Sequence, residues 1–271
     1  MPTMNDSANS DELFCMLKGE AGTRKSTCAL SFPTPQYWIS TDRKMGALRI
    51  PMKNWGIKPT DVHYDDYTDW NSIRIQLEKF QVSCQYKTII IDSITSVADA
   101  MNRQTMRAKS GTTTKGGEEK GMRVGGIPVN TIEDYKAEAS AFQELIALTK
   151  DIHSYHKVNI ILIAHVIGER SRSEANGSTH FARIIVTGGK IISAKIPAYC
   201  SEIYHFNVES AVDTSKEGAY GLLTRHTGDD YARTTLPLPR SIVFNDEPLY
   251  DKYVLPAIKK LKEQPSITLI K

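Results

Sequence analysis

The sequence predicts an α/β fold: a mostly parallel central sheet flanked by helices. Three observations carry that reading. A short apolar run, Leu13-Phe14-Cys15-Met16-Leu17, feeds a glycine-containing loop, Lys18-Gly19-Glu20-Ala21-Gly22-Thr23-Arg24-Lys25-Ser26-Thr27, and then a helix-forming segment. Two further runs, Ile89-Ile90-Ile91-Asp92 and Ile160-Ile161-Leu162-Ile163-Ala164-His165, are continuously apolar and end in a polar residue. Unbroken apolar character marks strands buried on both faces, as parallel strands are. Between the runs, apolar residues recur at helical spacing, so strands and helices alternate.

In chain order, strand one is expected at about Leu13–Leu17, and the helix after the loop ends before Pro33. Tyr37–Thr41 reads as a second strand ending at Asp42. The stretch from Arg43 to Asp69 looks irregular, with Pro51 and Pro59 as breakers. Asp69 caps a helix whose apolar face is Trp70, Ile73, Leu77 and Phe80. Lys87–Ser93 reads as a buried parallel strand with the Asp92 carboxylate at its tip, and it precedes a helix expected over residues 94–106. Residues 107–130 hold six glycines and are expected to form a long mobile loop. Thr131 and Asp134 open a long helix with Tyr135, Phe142, Leu145, Ile146 and Ile152 on its apolar face. Val158–His165 is another buried strand, followed by a second mobile stretch to about His180. Further strands are expected near residues 183–186, 202–208 and 220–225, with antiparallel C-terminal pairing.

At 271 residues the chain can bury a core without staples. Its net charge of +3 is too small to point to a nucleic-acid partner, so charge is read locally. Cys15, Cys28, Cys84 and Cys200 lie far apart without a C-x-x-C pair, as reduced thiols of a cytoplasmic protein do. No apolar run has the length of a membrane span, and the polar start Met1–Glu12 contains no apolar signal segment. Residues 1–12 read as a flexible tail and 13–271 as a single domain.

The loop approaches the pattern G-x-x-x-x-G-K-[ST] of phosphate-binding loops. Such a loop turns backbone N–H groups around phosphate oxygens, aided by the helix N-terminus. Gly19, Glu20, Ala21, Gly22, Thr23, Arg24, Lys25, Ser26 and Thr27 then form a nucleotide site for ATP. Lys25 reaches the β- and γ-phosphates, and the Ser26 hydroxyl binds Mg²⁺. The pattern expects Gly at position 24, where backbone approaches phosphate without a Cβ. Arg24 either turns its guanidinium outward or lies along the phosphates as an extra cation.

Ligands of open α/β sheets sit beyond the carboxyl ends of the strands. Asp42, Asp92 and His165 join the loop there. Asp92 either caps the next helix or holds the hydration shell of Mg²⁺. No acid directly follows Asp92, so Asp42 is the candidate for activating water; otherwise it is a turn aspartate. His165 either senses the γ-phosphate or is a hydrogen-bonded strand-end histidine.

The order of phosphate loop, acid at the next strand tip, Ile89-Ile90-Ile91-Asp92-Ser93 and Leu162-Ile163-Ala164-His165 resembles the RecA-like core ATPases. Among these it is similar to short phage-encoded proteins linked to single-strand-annealing recombination, over roughly Leu13 to Phe244. The resemblance implies a RecA-like P-loop NTPase that hydrolyses ATP with Mg²⁺. It implies that Asp42 is the catalytic base and that His165 couples nucleotide to DNA. The segment Asp230-Tyr231-Ala232-Arg233-Thr234 looks like the family's late basic motif, which makes Arg233 a finger reaching a neighbouring subunit's nucleotide.

Two basic segments fall where that family carries DNA-binding loops. Residues 107–130 hold Arg107, Lys109, Lys115, Lys120 and Arg123 against two acids. Residues 168–195 hold five basic residues, Arg170 and Arg172 among them, against two acids. The implied partners are single-stranded DNA, further copies of this chain in a ring or filament, and a phage single-strand-binding or annealing protein. The implied location is the host cytoplasm. Two other functions stay open: a nucleotide-binding switch with little turnover, and a translocating motor such as a helicase or packaging core. Against the motor stands the lack of a recognisable second domain.

Overall fold

The computed structural model describes residues 11–110, 122–124, 127–129, 132–172, 179–185, 195–209, 219–227, 231–245 and 247–263. Its strands are β1 (Phe14–Gly19), β2 (Gln36–Ser40), β3 (Val62–Asp66), β4 (Thr88–Asp92), β5 (Met122–Val124), β6 (Ile127–Val129), β7 (Asn159–Arg172), β8 (Thr179–Ile185), β9 (Glu202–Glu209), β10 (Ala219–Leu223) and β11 (Ser241–Phe244). Its helices are α1 (Lys25–Leu30), α2 (Arg49–Asn54), α3 (Trp70–Val82), α4 (Ile94–Ser110), α5 (Ile132–His156) and α6 (Leu255–Glu263). Among the described residues, no helix is long and apolar enough to cross a membrane.

The main sheet runs in the order β11-β10-β9-β1-β7-β4-β2-β3, with β8 attached to β7. From β9 to β3 all neighbours are parallel. β10 is antiparallel to both β9 and β11. This is the predicted α/β sheet with antiparallel C-terminal strands. The isoleucine run explains its two covered faces. Ile89 and Ile91 enter one core cluster with α3, α4 and α5; Ile90 enters the other with α1 and α6. Each fully buried Ile contributes about 1.5–3 kcal/mol relative to exposure. Asp69 caps α3 as expected, accepting from the Ser72 N–H at 2.9 Å.

Several boundaries differ from the sequence reading. The stretch expected to be irregular holds a short 3-10 helix, Met45–Leu48, then α2 and edge strand β3. Only Val62 of β3 is buried, so no apolar run announces that strand. α4 continues past residue 106 to Ser110, because Ala108 and Lys109 are good helix formers and no glycine intervenes. Arg107 and Lys109 are therefore helical, and the β5–β6 hairpin lies within the segment expected to be loop. β7 extends past His165 and pairs with β8 through Gly168↔Arg183 to Arg172↔Thr179. That ladder engages backbone expected to be mobile. At the expected tail, Asp11 pairs with Lys262 at 2.5 Å.

A buried carboxylate fastens the C-terminal segment. Glu202 in β9 is 0% exposed. It accepts hydrogen bonds from the Tyr204 hydroxyl at 3.0 Å, the Thr234 hydroxyl at 2.5 Å, and the Thr235 N–H and hydroxyl at 2.7 and 2.5 Å. Glu202→Ala strands these donors and is expected to lower the unfolding free energy by about 3 kcal/mol in urea titrations. A loss below about 1 kcal/mol would mean that water replaces the carboxylate.

Candidate nucleotide-binding site

β1 delivers the chain to Gly19, where space is closed: a Cβ would lie 2.5 Å from the Phe206 carbonyl oxygen. The loop then turns through Gly22 at φ 79° and Arg24 at φ 63°. Both lie in the left-handed region, which disfavours a side chain by roughly 1–2 kcal/mol per residue. Arg24 is held there by outward contacts. Its guanidinium sits 4.1 Å from the Tyr220 ring centroid and donates to the Asn245 carbonyl at 2.6 Å. Of the two orientations left open by the sequence, this is the outward one.

Lys25 opens α1 and is 4% exposed. Its ammonium donates to the carbonyls of Gly19 and Glu20 at 2.9 and 2.6 Å and to the Thr23 hydroxyl at 3.3 Å. Burial lowers its pKa to about 8, against the upward pull of Asp92 and Asp42. Ser26 donates its hydroxyl to Asp92 at 2.7 Å. Burial raises the Asp92 carboxyl above its ordinary value, and this hydrogen bond opposes the rise.

Asp42 lies past the tip of β2 within a side-chain network. It accepts from the Ser96 hydroxyl, from the Ser93 hydroxyl at 3.2 Å, and from His165 Nε2 at 3.3 Å, with Lys44 Nζ at 3.8 Å. An ionised carboxylate has no proton to give, so Nε2 is the donor to Asp42. Burial pushes Asp42 up, but His165, Ser96 and Lys44 outweigh it and hold the carboxyl at about 2. Thr41 ties β2 to β4, donating its N–H and hydroxyl to the Asp92 carbonyl at 2.8 and 3.0 Å.

One cavity of about 250 Å³ gathers these groups. Loop residues Ala21–Thr27 form one wall, Asp42, Asp92 and His165 another, and Met45, Ala47 and Leu48 an apolar side. Among the described residues no cluster of three or more His, Cys, Asp and Glu is arranged to hold a metal. Ser26 and Asp92 instead offer two oxygen ligands, which fits Mg²⁺ completed by phosphate and water oxygens.

The structure thus brings Lys25, Ser26, Asp42, Asp92 and His165 together. Arg233 lies apart. Its guanidinium donates to the Cys200 carbonyl, and its backbone pairs with Ile203. Arg107 is exposed on α4. Lys109, Arg123, Arg170 and Arg172 lie on α4, β5 and β7, with side chains outside the described set; Lys115 and Lys120 lie wholly outside it. Sequence reasoning missed Thr41, Lys44, Ser96 and Tyr220. The Ser93-x-x-Ser96 spacing after a strand tip was a usable signal for the network.

A phosphate loop on a parallel sheet, with an acid at a strand tip two places away in the sheet, defines a P-loop nucleotide-binding fold of the ATPase type. A sequence profile described as AAA domain matches residues 11–236, and the chain belongs to that family. The crystal structure of the RadB recombinase is similar with a TM-score of 0.49, 13% sequence identity and 86% of each chain covered. No curated protein matches.

Two measurements test this geometry. A double-mutant cycle of Arg24→Ala and Tyr220→Ala, read by urea denaturation, is expected to give a coupling of about 1 kcal/mol. Strict additivity would remove the stack as the force holding Arg24. Asp42 has a folded pKa of about 2 against an ordinary 3.8. Its ionised form therefore stabilises the fold above about pH 4, and that contribution is lost as pH falls toward 2. Asp42→Asn is expected to remove on the order of 2 kcal/mol at pH 6 and to flatten the unfolding free energy between pH 4 and 2. Equal slopes for both proteins would contradict the network.

Proposed function

We propose that this chain hydrolyses Mg-ATP and that single-stranded DNA stimulates the turnover, in an oligomer serving phage recombination or replication. The observation that carries the ATPase reading is the convergence of Lys25, the Ser26–Asp92 pair and the Asp42–His165 pair on one cavity. Lys25 would neutralise β- and γ-phosphate charge. Ser26 and Asp92 would hold Mg²⁺, which supplies charge neutralisation across the phosphate oxygens. Asp42 and His165 would orient the attacking water. A carboxyl held at about 2 is a weak proton acceptor near neutral pH, so positioning is its stronger contribution. The same observation favours a second reading, a nucleotide switch with slow turnover.

The DNA part rests on the family resemblance and on the basic residues of segments 107–130 and 168–195. Arg233 acts in trans on this reading, which requires its guanidinium to leave the Cys200 carbonyl.

Saturating Mg-ATP at about a hundred times Kd is expected to stabilise the fold by about 2.7 kcal/mol in thermal melts. Lys25→Met is expected to abolish the gain. Phosphate release should rise on adding single-stranded DNA, and Asp42→Asn should lower it about 10²–10⁴-fold. Binding without turnover would select the switch; no binding would end the phosphate-loop reading.

A further inference from the structure

Between Asp42 and Asp61 the chain carries Arg43, Lys44, Arg49, Lys53 and Lys58 and no acid, although the whole chain balances 34 basic against 31 acidic residues. All five side chains are exposed. Lys44 approaches Asp42 at 3.8 Å. Arg43, Arg49, Lys53 and Lys58 make no side-chain hydrogen bond or ion pair among the described residues.

These cations stand on a firm base. Leu48 is 3% exposed, and Met45, Met52, Trp55 and Ile57 pack against the core beside α1 and α6. Arg49 and Lys53, one turn apart, share a face of α2. Ile50, between them in sequence, is 72% exposed. The ledge starts at the nucleotide cavity, whose wall includes Lys44, Met45 and Leu48.

A solvated surface normally mixes both signs of charge. An ordered ledge of one sign, whose ion pairing among the described residues is confined to Lys44 with Asp42 at its edge, fits a polyanion. In the acidic block next in sequence, 61–69, Asp65 accepts the Tyr37 hydroxyl and Asp69 caps α3. We propose that residues 43–58 form a phosphate-backbone contact for single-stranded DNA, running from the rim of the nucleotide cavity along α2. This rests on the single-strand reading above but uses none of the residues assigned to DNA there.

The test is anisotropy of a labelled oligothymidylate over a range of salt concentrations. Three proteins are compared: wild type, Arg49→Gln/Lys53→Gln/Lys58→Gln, and Lys109→Gln/Lys115→Gln/Lys120→Gln. Thermal melting checks that each variant is folded. Each phosphate neutralised on a single strand contributes about −0.7 to the log–log slope, so the ledge variant is expected to flatten it by about 2. A wild-type slope in the ledge variant overturns the ledge; weakening of the other variant would then leave the single-strand reading intact. Failure of wild type to bind at low salt overturns both DNA assignments and leaves ATP turnover to be judged separately. An unchanged slope with altered sedimentation makes the ledge a contact between copies and also overturns the proposal.

Discussion

The register of four parallel strands decides where this protein's chemistry sits. Gly19 lies beside His165, Ile163 beside Asp92, and Asp92 beside Ser40. The ends of β1, β4 and β2 share one rim with His165, past which β7 runs on to pair with β8, and the chain beyond β1 and β2 carries the phosphate loop and Asp42 onto it. A slip of one residue in any strand would swap its two faces. Both faces are packed with Ile, Leu, Met and Cys, so a slip would also push the tip residue off the rim. The apolar runs thus fix polar positions several residues away.

The rim then sets two neighbouring carboxylates apart. Asp92 is the more buried, has Ser26 as its hydroxyl partner, and is pushed upward. Asp42 collects two serine hydroxyls and an imidazole and is held low. Different surroundings give two like groups different work, one toward a hard cation and one toward orientation. Lys25 completes the balance, since its burial is opposed by the same two carboxylates.

Much of this was legible in the chain. Unbroken β-branched runs marked β4 and β7, and the glycine-spaced loop marked the nucleotide end. β3 was not, because an edge strand with one buried residue has no hydrophobic signature. Nor was the extension of β7, whose pairing with β8 is a non-local matter of backbone hydrogen bonds. The Asp42 network was hidden for the same reason: Ser96 and His165 are 54 and 123 residues away in sequence. Arg24 is a further case. The motif flagged it as a departure, but its direction is set by Tyr220 and Asn245 on β10 and just beyond β11.

α4 gives the site mechanical reach. Its first turn carries Ser96, which is bonded to Asp42, and its other end is Ser110, where the first basic segment continues. Seventeen residues make a rod about 25 Å long. Pivoting such a rod by about 5° at the serine end sweeps the far end through about 2 Å. Because Ile94, Val97, Ala98 and Met101 pack this rod into the core, a tilt of that size at the serine end would have to be matched by its packing, and would be felt most at Ser110.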